Sequence, residues 1–218
     1  MQAIVIHDGT CAELVVGKPR HFAPKPANVD FVTAAGLPLT GLTTVQSLRL
    51  AGVREGDTVL VHAAAGGVGS FAVQWAQVLG ATVIGTASER NHDYLRELGA
   101  TPATYGDGLV ERVGQAAPGR RDRLSRLHRR RGGLRRVGRA RQGRQPHRVE
   151  RGPQAVSDVG GRYSFVRPQA ADLAELSRQV EAGAIGIEIQ QVFPLSDAAK
   201  AHEVSQGGHV RGKLVLEV

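Results

Sequence analysis

The sequence predicts an α/β fold, a Rossmann-type parallel sheet with helices on both faces. Three observations carry this. Residues 58–63 (TVLVHA) are a short β-branched run that enters a glycine-rich turn, Ala64-Ala65-Gly66-Gly67-Val68-Gly69. Residues 70–79 (SFAVQWAQVL) then space their apolar side chains as a helix does, and 81–86 (ATVIGT) is a second buried-strand run. Strand, turn, helix and strand within about thirty residues make a βαβ unit, with the right-handed crossover that strand twist imposes.

The remaining elements follow in order. Residues 2–8 read as a strand closing in an Asp8-Gly9 turn, and 11–16 as a second strand. Three prolines keep 18–26 extended. Asn28 is placed to cap a short helix through Ala35 that Pro38 interrupts, and 39–50 resume helical spacing with Gly52 as C-cap. Beyond the βαβ unit come a helix at 93–98 ending on Gly99 and a strand at 103–105. Toward the C-terminus the pattern gives a helix at 172–182 stopped by Gly183 and a strand at 185–193. A helix at 195–203, capped by Ser196 or Asp197, and a terminal strand at 213–218 complete it.

Composition bounds the function. With 218 residues, 41% hydrophobic and 22% charged, collagen-like and wholly disordered classes are excluded. The single cysteine, Cys11, rules out an internal disulfide framework and a cysteine-rich zinc site. No apolar run approaches the ~18 residues of a membrane span and no signal-like N-terminus is present, so a soluble cytoplasmic protein is expected.

The net charge of +8 has one source. Residues 119–151 hold fourteen arginines against Asp122 and Glu150, a net of +12, while the rest of the chain is slightly acidic at −4. None of the four lysines lies in that block, and its six hydrophobic residues follow neither the helical nor the strand period. Such a block has no apolar face to bury, so 119–151 are expected to be disordered or weakly helical and not to complete a sheet. One alternative is an arginine-rich segment that folds on RNA, although no aromatic lies within it to stack on bases.

A turn that holds pyrophosphate must be tight and let the backbone approach closely. It must also aim the N–H groups of a helix N-terminus at the phosphates. Gly66, Gly67 and Gly69 sit where this is required, with Ala64 at the place of the usual first glycine. The alternative is a turn kept small for helix–sheet packing alone. An NAD site carries an acid at the tip of the second strand to bind the ribose hydroxyls. Here Ala87 stands there, followed by Ser88, Glu89 and Arg90. Ser88 and Arg90 can donate to a 2′-phosphate, which favours NADPH.

With VHAAAGGVGSFAVQWAQVLGATVIGT in view, the chain resembles the medium-chain dehydrogenases/reductases, and among them the zinc-free quinone oxidoreductase (zeta-crystallin-like) group. Leu39-Thr40-Gly41-Leu42-Thr43, Leu98-Gly99-Ala100 and Arg211-Gly212-Lys213-Leu214-Val215-Leu216 are similar to further stretches of that family, so the likeness covers roughly 11–118 and 160–218. It implies hydride transfer from NADPH to a quinone or another conjugated carbonyl, without a metal; the proton donor is not implied. By the same resemblance Gly66, Gly67, Val68 and Gly69 contact the pyrophosphate. Ser88 and Arg90 face the adenosine phosphate, and Tyr105 the adenine side. Thr43 approaches the nicotinamide, Phe165 and Val166 line its pocket, and Lys213 closes it. Core packing for Tyr105 and Phe165, and solvation for Lys213, are the alternatives. The partner implied is a small quinone or enone, with no nucleic acid and no membrane, and a homodimer through the sheet edge.

Three segments follow. Residues 1–27 resemble a remnant of the family's GroES-like catalytic domain, 28–185 its nucleotide-binding domain, and 186–218 a segment returning to the catalytic side. About a hundred residues of the catalytic domain are expected between the stretches resembled by 2–8 and 9–26, which makes a non-catalytic NADPH-binding remnant a second reading. The arginine-rich block falls where the family has its fourth and fifth strands. Read one base out of frame, 142–148 can encode Lys-Asp-Gly-Ser-Arg-Ile-Val, similar to the family's entry into the fifth strand. The reading is therefore a frame slip near Gly119, restored between about Arg151 and Gly160.

Overall fold

A computed structural model describes residues 1–4, 11–117 and 164–218 in full, and 124–130, 133–137 and 162–163 for the backbone alone. Its centre is a six-stranded sheet in the order β5-β4-β3-β6-β7-β8. The strands are β3 (Thr58–Val61), β4 (Thr82–Ala87), β5 (Thr101–Thr104), β6 (Leu124–Arg130), β7 (Gly133–Val137) and β8 (Arg162–Ser164). β5, β4, β3 and β6 run parallel, whereas β7 is antiparallel to both of its neighbours.

The centres of the strand runs, Val59–Val61 and Val83–Ile84, are apolar at successive positions because both sheet faces are covered. Val59, Val61 and Val83 enter a core with α2 (Pro38–Ala51), α3 (Gly67–Val78), α4 (His92–Glu97) and α6 (Ala170–Glu181). Leu60 and Ile84, one residue out of phase, enter a second cluster with Ala103 and Val113. Val113 belongs to α5 (Leu109–Ala116), a helix the sequence reading did not include. Helices on both faces are thus a direct consequence of strand alternation.

The structure differs from expectation in several places. Residues 11–16 form no strand, and Leu14 and Val16 stay exposed. The antiparallel partner of β1 (Gln2–Ala3) is instead β2 (Phe22–Ala23), in the segment read as loop. The expected strand at 2–8 is described only as far as residue 4, and 5–10 lie outside the described residues. α1 (Phe31–Ala35) is capped by Asp30, whose carboxylate accepts from the Thr33 N–H at 2.7 Å. Asn28 does not cap it; its amide donates to the carbonyl of Val180. Pro38 does not merely interrupt a helix but opens α2, where a missing N–H costs nothing. Gly52 ends α2 at φ 65°, as expected.

The expectation that 119–151 contribute no strand is corrected for part of that segment. β6 pairs with β3 from Thr58↔Leu124 to Val61↔Leu127, and β7 folds back on it. Ladder hydrogen bonds use only main-chain groups, so the open edge of β3 accepts a strand whatever its side chains. The rest of the arginine-rich block lies outside the described residues.

At the C-terminal end, β9 (Ile189–Pro194) and β10 (Lys213–Glu217) form a separate parallel pair, joined through α7 (Ala198–Gln206). The β1–β2 pair is fastened to α6. Gln2 Nε2 donates to Ser177 Oγ at 2.6 Å and to the carbonyls of Leu173 and Pro24. A bidentate pair between Arg49 and the buried Asp172, at 2.7 and 3.1 Å, ties α2 to the start of α6.

Candidate functional site

In a parallel sheet, ligands bind beyond the strand C-termini where the order of connection reverses. Here β3 lies between β4 and β6, so that point is the end of β3, where the glycine turn begins. Ala63 has φ 52°, the one positive value at a non-glycine among the described residues. The Ala64 N–H donates to the Thr86 carbonyl at 2.9 Å, and the Gly66 N–H to the Ala63 carbonyl at 3.0 Å. Thr86 Oγ1 accepts from the Ala63 N–H at 3.2 Å. The chain is thereby turned sharply into α3, whose N-cap is Gly66. No side chain caps that end, so the first-turn N–H groups stay available to an anion.

The three glycines are not equivalent. A Cβ on Gly69 would lie 2.2 Å from the Ala63 carbonyl oxygen, and one on Gly67 would meet Lys213 Cδ at 2.6 Å and the Gly212 carbonyl at 2.9 Å. These two are required by the protein's own packing. Around Gly66 the nearest atom would be 3.4 Å away, so its missing side chain leaves room that the protein does not fill. Val68 is buried, and its carbonyl accepts from Thr44 Oγ1 at 3.3 Å. Only its backbone N–H faces the helix terminus.

The C-terminal segment closes on this turn. Gly66 and Gly212 form a parallel bridge, and the Gly212 N–H donates to the Ala65 carbonyl at 3.0 Å. Lys213 lays its alkyl stem over Gly67. Arg211 holds the segment in place by pairing with Glu188 at 2.8 Å and by stacking 5.0 Å over the ring of Tyr94. Burial pushes the Tyr94 hydroxyl above the usual phenol range, with a hydrogen bond to Ser70 opposing it.

At the tip of β4, Ala87 is buried and no acid occupies its place. Ser88 starts a single 3-10 turn, its carbonyl accepting from the Asn91 N–H at 2.9 Å, which leaves Arg90 exposed. Tyr105 is exposed just after β5. Thr43 is partly exposed on α2, its hydroxyl donating to the Leu39 carbonyl at 2.5 Å. Phe165 is 61% exposed, while Val166 packs against the main core. Gly66, Gly67, Val68 and Lys213 therefore come together at one turn, Ser88 and Arg90 stand at the neighbouring strand tip, and Phe165–Val166 follow β8.

Sequence reasoning missed three side chains that build this region. Gln46 and Gln74 each hold a distant backbone segment by both ends of the amide. Gln74 binds Gly186 at 3.1 and 2.6 Å, and Gln46 binds Arg167 at 2.8 and 2.9 Å. Arg211 is the third. Among the described residues no three His, Cys, Asp or Glu side chains are grouped as they would be around a metal ion. No helix among them is long and apolar enough to cross a membrane.

Known proteins share this fold. Residues 100–216 match the family profile described as zinc-binding dehydrogenase. The 2-haloacrylate reductase of Burkholderia sp is 34% identical over 88% of this chain and 65% of its own length. The quinone oxidoreductase of Pseudomonas aeruginosa is 32% identical over 95% of this chain and 71% of its own. The solved quinone oxidoreductase of Coxiella burnetii superposes with a TM-score of 0.71 at 33% identity, covering 92% of this chain and 65% of that one. The chain thus spans about two thirds of the length of these relatives, which are oxidoreductases.

Proposed function

Because the chain belongs to the zinc-binding dehydrogenase family, within the medium-chain dehydrogenases/reductases, we propose that it is an NADPH-dependent oxidoreductase that passes hydride to a quinone or other conjugated carbonyl without a metal. The carrying observation is the glycine turn at the end of β3, where Gly66 leaves open space beside an uncapped helix terminus. The cofactor supplies the hydride; the protein supplies binding and orientation. In this reading the first-turn N–H groups of α3 and the backbone at Gly66 hold the pyrophosphate. Ser88 and Arg90 bind the 2′-phosphate, and Tyr105 covers the adenine side. Thr43, Phe165, Val166 and Lys213 bound the nicotinamide. The division into 1–27, 28–185 and 186–218, with the first and last on the substrate side, and a homodimer through the sheet edge belong to the same proposal.

A second reading, a non-catalytic NADPH-binding protein, is favoured by one feature. Phe165 and Leu39 are 61% and 50% exposed, so the nicotinamide side is open to water. NADPH titration followed by nicotinamide fluorescence tests both readings, and turnover of a small benzoquinone separates them. Unchanged fluorescence at millimolar NADPH would overturn both.

A further inference from the structure

We propose that Gln46 is a positioning residue for the nicotinamide end of the cofactor, an inference that rests on the NADPH reading above. Residues 165–167 follow β8 but belong to no strand ladder, so ladder bonds fix the register only as far as Ser164. Among the described residues, one side chain engages both main-chain groups of Arg167. Gln46 Nε2 donates to the Arg167 carbonyl at 2.8 Å, and Gln46 Oε1 accepts from the Arg167 N–H at 2.9 Å. An extended residue presents its N–H and C=O to the same side, and Pro168 biases Arg167 toward that conformation. The amide of Gln46 thus substitutes for a missing strand neighbour.

The consequence is register. Alternation along an extended segment sends neighbouring side chains in opposite directions, and a one-residue slip exchanges them. With Arg167 fixed, Val166 packs into the core and Phe165 stands outward. Gln46 lies one helical turn beyond Thr43, on the same face of α2. Gln46 therefore carries the register of β8 on past Phe165–Val166 and ties that segment to the helix face that carries Thr43. Gln46 itself touches no cofactor atom in this account.

The test uses the full chain and two ligands, NADP⁺ and 2′-phospho-ADP-ribose, which lacks the nicotinamide. Gln46→Ala is expected to weaken NADP⁺ binding about five- to tenfold, the size of one or two lost hydrogen bonds, and to leave 2′-phospho-ADP-ribose binding unchanged. Gln46→Met, which keeps the stem and helix propensity, should do the same and covers the case in which the alanine variant does not fold. Gln46→Glu adds a pH signature. Its ionised carboxylate repels the Arg167 carbonyl, but its protonated form restores the donor. The ratio of the two affinities should therefore return toward wild type as pH falls through about 4.3. Equal loss for both ligands, or no loss for either, overturns the role of Gln46. A wild-type chain that binds neither ligand overturns the NADPH reading and this inference with it.

Discussion

A Cβ on Gly85 would stand 2.8 Å from the Cβ of Ala64, so the turn after β3 carries a methyl group only because β4 carries none at the facing position. The departure from glycine at Ala64 is in this way compensated across the sheet. Gly85→Ala is expected to destabilise the protein by about 1–3 kcal/mol, because Leu95 Cδ1 at 3.1 Å crowds the same point. Adding Ala64→Gly should return part of the loss. Urea unfolding of the two single variants and the double variant gives the coupling.

Gly66 and Gly69 separate binding from packing. Gly66→Ala meets nothing closer than 3.4 Å and keeps φ −81°, so its stability cost should not exceed about 1 kcal/mol, that of a poorer N-cap. Its NADPH affinity should nevertheless fall at least about tenfold, the equivalent of about 1.4 kcal/mol. Gly69→Ala pushes a methyl group into the Ala63 carbonyl and should fold poorly or not at all. Thermal melts with and without NADPH distinguish the two. Equal NADPH affinity in Gly66→Ala and wild type would count against pyrophosphate binding at this turn.

Arg90 is exposed at the tip of β4, with no acid at Ala87. Arg90→Ala should lower NADPH affinity by ~1.5–3 kcal/mol, the worth of a hydrogen bond to a charged group, and leave NADH affinity unchanged. A parallel drop for both cofactors would place Arg90 elsewhere in the site.

Tyr94 gives a pH dependence. Burial raises its hydroxyl above the ordinary value near 10, so above that pH the folded protein keeps a proton the unfolded chain has lost. Its contribution to stability is complete below about pH 10 and declines as pH rises toward the folded value. Tyr94→Phe should remove that part of the alkaline slope in urea titrations between about pH 9 and 11.

The βαβ unit was legible because buried parallel strands and a glycine turn leave local marks; β3 and β4 lie within a residue or two of the expected runs, while α3 starts three residues early, at Gly67. At the tip of β4 the sequence showed Ala87 in place of an acid, and the structure buries that residue and leaves Arg90 exposed. What sequence could not show depends on partners far along the chain. Leu14 and Val16 look like strand residues, yet Phe22–Ala23 won the pairing with β1. Asp30 outcompeted Asn28 as the cap because its carboxylate reaches the Thr33 N–H while the Asn28 amide serves Val180. The side chains of the arginine-rich block argue against a buried strand, whereas β6 pairs with β3 through its backbone. Gln46 and Gln74 carry no local signal, since their partners lie 121 and 112 residues away.

Gln2 donates to Ser177 Oγ across 175 residues of sequence. On the ribosome, the first strand therefore leaves the exit tunnel long before α6 exists to receive it. At a synthesis rate of roughly 5–20 residues per second it waits about ten to thirty-five seconds for α6, with only β2 beside it. The β3–α3–β4 unit, whose contacts are local, can form during that interval. The order of synthesis thus makes the βαβ core the template and the docking of the β1–β2 pair a late addition, its outer edge open in the meantime to pairing with other chains.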